Sequence, residues 1–221
     1  MQNLFSSYYF EGGPMRKPLR QGEMDGLCGI YALVNAIRHL AGRSLSKEDE
    51  DNLFKELVRD VYKRNNRRRK RKPKSPIEFI WDGTSARDIS YMLKKTTEYL
   101  QSKNVNLYWK KPLQGSRRPN TIDQYWNRIR EAFTAYGGHG CCIALVDYNW
   151  QPVNGNGEDG HWTCVTNVTG STLILHDSSM DHGRKFVKLP KSRCTLGKPT
   201  SRRPYRLLAH NVSLLRVDKT E

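Results

Sequence analysis

The chain reads as an α+β domain, with an N-terminal helical half packed on a C-terminal antiparallel sheet. Three observations predict this: a buried-helix pattern after Cys28, capping signatures ahead of each later helix, and β-rich runs broken by turn residues beyond residue 141. Residues 28–40 (CGIYALVNAIRHL) place Ile30, Leu33, Val34, Ile37 and Leu40 at helical spacing. Ser46 to Asp49 reads as a capping box opening a second helix, with Leu53, Leu57 and Val61 on one face and the basic run ending it. Ser85 to Asp88 opens a third helix reaching about Leu100, and Thr121 to Gln124 a fourth, stopped by Gly137-Gly138. Strands are predicted over 142–148, 161–168, 172–176, 185–189 and 207–217, with a loop over 149–160.

The 221 residues, 37% hydrophobic and 10% aromatic, suit a single domain over 1–221. No apolar run near the N-terminus resembles a signal peptide, and none approaches the length of a membrane span, so a soluble protein is expected. Five cysteines (Cys28, Cys141, Cys142, Cys164 and Cys194) without an export signal read as free thiols in a reducing, cytoplasmic compartment. Export by a signal-independent route stays open. There is no C-x-x-C spacing and Cys141 adjoins Cys142, so neither a metal site nor a cofactor is expected.

The net charge is +16, and residues 63–74 (KRNNRRRKRKPK) hold nine basic residues and no acid. Such a run repels itself, so a basic loop insertion around 63–76 is expected. Residues 64–74 read either as a solvated face or as a site for nucleic acid, an acidic protein partner or an anionic surface.

The candidate chemistry starts at Cys28. A thiol opening a helix faces unpaired N–H groups and the positive end of the macrodipole, which favour the thiolate. Gly29 leaves room beside the sulfur for a substrate carbonyl. His161 enters an apolar strand from a loop, which puts an imidazole at the sheet's rim, where Cys–His catalysis needs it. Strand 161–168 turns at Thr169-Gly170-Ser171 and returns as 172–176, so a tight hairpin would set Asp177 beside His161. A carboxylate there fixes the tautomer and stabilises the imidazolium. Gln21, seven positions before Cys28, is either an exposed loop residue or an oxyanion donor beside the Cys28 N–H. His139, Asp181 and His182 are reserve candidates that read as turn residues.

Taken together, Gln21, residues 25–33 (DGLCGIYAL), residues 160–165 (GHWTCV) and residues 175–177 (LHD) resemble papain-like cysteine peptidases, most closely the bacterial C39-like peptidases. The resemblance implies a papain-like fold, attack of the Cys28 thiolate on a peptide carbonyl, His161 as base, Asp177 as its orienter and Gln21 in the oxyanion hole. The order Cys, His, Asp matches that family and differs from the ubiquitin-like proteases, in which His precedes Cys. The Gln-to-Cys spacing is one residue longer than usual, and the basic insertion lies outside the family pattern. The expected function is hydrolysis of a peptide or isopeptide bond in a protein or peptide substrate, for which an acidic target is one option. Two rivals stand beside it: acyl transfer of the transglutaminase or arylamine-acyltransferase kind, and a catalytically silent binding protein using the basic run.

Overall fold

A computed structural model of the chain describes residues 18–19, 26–67, 75, 83–137, 142–150, 159–178 and 187–219. Four α-helices and an eight-stranded sheet occupy these residues, an α+β architecture. The helices are α1 (Cys28–Ala41), α2 (Lys47–Arg67), α3 (Ala86–Gln101) and α4 (Ile122–Gly137). The strands are β1 (Val105–Lys110), β2 (Cys142–Trp150), β3 (Asp159–Val168), β4 (Thr172–His176), β5 (Val187–Pro190), β6 (Cys194–Thr195), β7 (Tyr205–Leu207) and β8 (Ser213–Lys219). Among the described residues no helix is long and apolar enough to cross a membrane.

The apolar spacing after Cys28 does what it promises. Eleven of the fourteen α1 residues are buried, and the helix packs on β2, β3 and β8 while touching α2 and α3. Burial of Ile30, Leu33, Val34 and Ile37 alone contributes roughly 6–12 kcal/mol before chain entropy is charged. One polar residue in this helix, Asn35, is also buried. Its amide clasps the Leu19 backbone, accepting from Leu19 N at 2.7 Å and donating to Leu19 O at 3.1 Å.

Both predicted capping boxes form. At α2, Asp49 N donates to Ser46 Oγ at 3.0 Å and Ser46 N to Asp49 Oδ2 at 3.2 Å. At α3, Asp88 N donates to Ser85 Oγ at 3.2 Å and Ser85 N to Asp88 Oδ2 at 3.1 Å. The Lys103 ammonium, 2.6 Å from Asp49, together with the Ser46 hydroxyl holds the Asp49 carboxyl down at about 2.

The sheet runs β1-β8-β2-β3-β4-β5, antiparallel throughout, with the short β6 and β7 off this path and parallel to each other. Its two faces carry two cores: one with α1, α2 and α3, the other with Tyr125, Trp126 and Ile129 of α4. The expected hairpin is present. Thr169 N donates to Thr172 O at 2.9 Å, and the β3–β4 register pairs Cys164 with His176.

Four expectations need correction. The helices do not all precede the sheet, because β1 lies between α3 and α4 and pairs with β8 at the edge. The run 207–217 is not one strand. A 3₁₀ turn at Ala209–Asn211 separates β7 from β8, and Leu208 N is drawn to Asp147 O at 2.9 Å. The loop expected over 149–160 is shorter, since β2 extends to Trp150 and β3 begins at Asp159. The basic insertion does not begin at residue 63, because α2 continues to Arg67. Arg64 supplies the reason: rather than repelling its neighbours in water, it pairs with Asp88 at 3.0 Å and lies 4.7 Å over the Tyr91 ring. Residues 68–74 and 76 lie outside the described residues, as do 185–186 of the strand predicted over 185–189, which is described over Val187–Pro190.

Ser85 is the residue whose hydroxyl caps α3. Ser85→Ala should lower unfolding stability by about 1 kcal/mol, the usual cost of a lost N-cap, measured by urea denaturation.

Candidate functional site

Helix α1 begins at Cys28, and its N-terminal turn rests against the start of α3. A Cβ at Gly29 would lie 2.6 Å from Thr84 Cγ2, 2.7 Å from Thr84 Cβ and 2.9 Å from Ile89 Cδ1. The glycine therefore lets α1 approach α3; the room it leaves is filled by Thr84 and Ile89, not reserved for a substrate carbonyl. Thr84 also binds β3, since its carbonyl accepts from Trp162 Nε1 at 2.8 Å. Its hydroxyl reaches Gly26 O at 3.4 Å. One residue thus fixes Cys28's helix and His161's strand relative to each other.

On β3, His161 precedes this buried tryptophan, and its ring lies against the Asp177 carboxylate. Nε2 lies 3.0 Å from Asp177 Oδ1 and 3.2 Å from Oδ2. A carboxylate only accepts, so Nε2 carries the proton and donates. The Cys28 thiol is the ring's other near neighbour, close enough for its hydrogen bonding and charge to bear on the imidazole's proton affinity. The carboxylate side chain is only 2% exposed, whereas the imidazole retains 19%. Burial by itself would push the imidazole's pKa down, but the hydrogen bonds and charges of Asp177 and Cys28 outweigh it and raise the value to about 10.

Two further side chains frame this cluster, and neither is evident from the sequence. Tyr148 stands opposite His161 in the β2–β3 register, with the rings edge-on at 5.4 Å. Burial, reinforced by the charges of Asp177 and Cys28, raises its phenol well above the ordinary value, so the ring is a neutral wall. Asp147, opposite Trp162, is buried and accepts from Asn211 Nδ2 at 2.6 Å. Burial lifts this carboxyl to about 6, against the Asn211 hydrogen bond and the nearby His161 charge. β2 is foreseen as a strand, but a connection the length of 151–158 does not set its register against β3. Asn211 sits in the 3₁₀ turn that interrupts the strand expected there.

The other described thiols are placed differently. Cys164 Sγ donates to Ala32 O at 2.7 Å, stapling β3 to α1, and its burial raises it well above an ordinary thiol. Burial pushes Cys194 up to about 12, and it donates to Pro190 O at 3.3 Å. Gln21, His139, Cys141, Asp181 and His182 lie outside the described residues. Among the described residues no group of three or more His, Cys, Asp or Glu side chains is placed to hold a metal ion. With this geometry in hand, comparison with protein-family models gives no match, and no curated protein matches the chain.

Two predictions follow from the cluster itself. Gly29→Ala should cost about 1–3 kcal/mol of stability through overpacking, read from urea midpoints, and should slow reactions at Cys28 by displacing its helix. Asp177→Asn should lower the His161 titration midpoint by about 1–3 pH units, followed through the imidazole C–H resonances. The sign for stability follows from the raised folded pKa. The His161 contribution is fully present below the unfolded value of 6.5 and is lost as pH rises through about 10. The stability gap between wild type and Asp177→Asn should therefore narrow over that window.

Proposed function

We propose that the protein is a papain-like thiol hydrolase that cleaves a peptide or isopeptide bond through Cys28, His161 and Asp177. The observation that carries this reading is the double engagement of one imidazole. Its Nε2 donates to a buried carboxylate delivered by the same hairpin, while a thiol 133 positions away in sequence sits near enough to raise the ring's proton affinity. Structural histidines satisfy one or both nitrogens, but a cysteine sulfur opening a helix is an unusual choice of partner. Support also comes from the packing of α1 on β3, because a papain-like hydrolase needs its nucleophile on a helix and its base on the sheet beneath.

In this mechanism proton transfer from Cys28 to His161 gives a thiolate–imidazolium pair, and the raised affinity of His161 for its proton favours that state. The thiolate attacks the carbonyl carbon of the scissile amide. The oxyanion forms beside the N-terminal turn of α1, where the Cys28 N–H and the helix dipole stabilise it; Gln21 is the proposed second donor. On collapse the C–N bond breaks, His161 gives its proton to the leaving amine, and an acyl-thioester remains on Cys28. Water then attacks the thioester while His161 takes its proton. The acid departs and the thiol is restored. Asp177 holds the ring and its charge throughout, and Tyr148 blocks water from one side of the ring.

Alkylation by iodoacetamide, followed by peptide-resolved mass spectrometry, tests the pair without knowledge of the substrate. Cys28 should react rapidly near neutral pH while Cys164 and Cys194 stay unmodified, and His161→Ala should slow Cys28 by about tenfold or more. A Cys28 rate no faster than that of an ordinary exposed thiol, or one indifferent to His161→Ala, overturns the proposal. Once a substrate is in hand, added amines separate hydrolysis from acyl transfer by the product formed.

A further inference from the structure

An open cleft of about 940 Å³ lies between the end of α2 and the start of α3, and Cys28 is not among the residues that line it. Its lining is strongly one-signed. Lys63, Arg64 and Arg67 come from α2, Arg87 and Lys95 from α3, and Lys111 from the residue after β1. Asp60 is the single carboxylate among the described residues that line it. Part of this charge is internally matched, since Arg64 pairs with Asp88 and Lys95 with Glu98. Lys63, Arg67 and Arg87 have no carboxylate partner among the described residues, and all three are exposed. His210, also in the lining, has its proton affinity lowered by burial and then by Arg118, Arg206 and Lys111. The cleft therefore carries a positive field beyond the side chains at its rim.

We infer that this cleft is an exosite for an acidic polypeptide segment, which on the hydrolase reading above belongs to the substrate. Its size is that of a site for a small ligand or a short stretch of extended chain. A nucleic-acid duplex is gripped by elements that project into its grooves, and this surface is concave. A single strand needs aromatic faces on which bases stack. The one aromatic six-membered ring in the lining, Tyr91, already has the Arg64 guanidinium against it at 4.7 Å. What is left is a set of cations on two facing helices, suited to carboxylates spaced along a strand.

The cleft also adjoins the candidate catalytic residues through short links. Asn211 lines it and donates to Asp147 at 2.6 Å, and that carboxylate lies close enough to sense the His161 charge. On the other side, Ala86 and Arg87 directly follow the Thr84–Ser85 step that supports Gly29 and Trp162. A substrate anchored here by an acidic stretch would have its neighbouring segment within reach of Cys28, raising its local concentration there.

Fluorescence anisotropy of the full-length Cys28→Ala chain with a fluorescein-labelled oligo-glutamate peptide tests the inference independently of turnover. The peptide should bind, more weakly as salt rises, and the Arg67→Glu/Arg87→Glu pair should weaken it by about tenfold or more with an unchanged far-UV spectrum. A single-stranded oligonucleotide of equal charge should bind less tightly. No peptide binding, binding untouched by the charge reversal, or tighter binding of the oligonucleotide overturns the inference. The hydrolase reading fails separately: slow alkylation of Cys28 with peptide binding intact removes catalysis and leaves the acidic-peptide site standing.

Discussion

The approach of α1 to α3 governs everything built around Cys28. Where a neighbouring side chain lies directly against a helix backbone, the contact needs a residue without a Cβ. Gly29 is that residue, and Thr84 fills the space it leaves while its carbonyl binds Trp162. The thiol on one element and the imidazole on another are thus spaced through a single threonine. Their geometry is inherited from packing, which is stiffer than any loop could be.

Around that contact the electrostatics are arranged in opposition. Burial disfavours charge on His161, Asp147 and Tyr148 alike, yet only His161 has its proton held against burial, because a carboxylate and a thiol both face it. Asp147 shows the contrast. It is a carboxyl in the same neighbourhood, given one amide donor instead of a cation in direct contact, and burial wins. The difference between the two sites lies in contact partners rather than in depth.

Much of this was readable before any coordinates. Periodicity and caps located the four helices, because burial of one face and satisfaction of end groups are local requirements written in adjacent residues. The placement of Asp177 beside His161 was equally local, since a three-residue turn leaves a returning strand little choice of register. What escaped prediction depends on distant partners. β1 has strand alternation of its own at Val105, Leu107 and Trp109, but its place at the edge is set by its partner β8. Tyr148 and Asn211 enter the cluster through sheet register and an interrupted strand, both set by tertiary hydrogen bonds to Asp147 and its neighbours. Gly29 is required by packing rather than by a substrate, and residues 63–67 stay helical because Arg64 finds a buried anion twenty-four positions later.

The hairpin that joins β3 to β4 has a bearing on how the chain matures. His161 and Asp177 are separated by sixteen positions and can meet as soon as that local structure condenses. Cys28 joins them only across most of the chain's length, after α1 has docked on both α3 and the sheet. During synthesis the sulfur emerges first and stays apart from the imidazole, while the hairpin alone can already pair His161 with Asp177. On the proposed hydrolase reading, turnover would then be reserved for molecules that have finished folding, a safeguard arising from chain order alone.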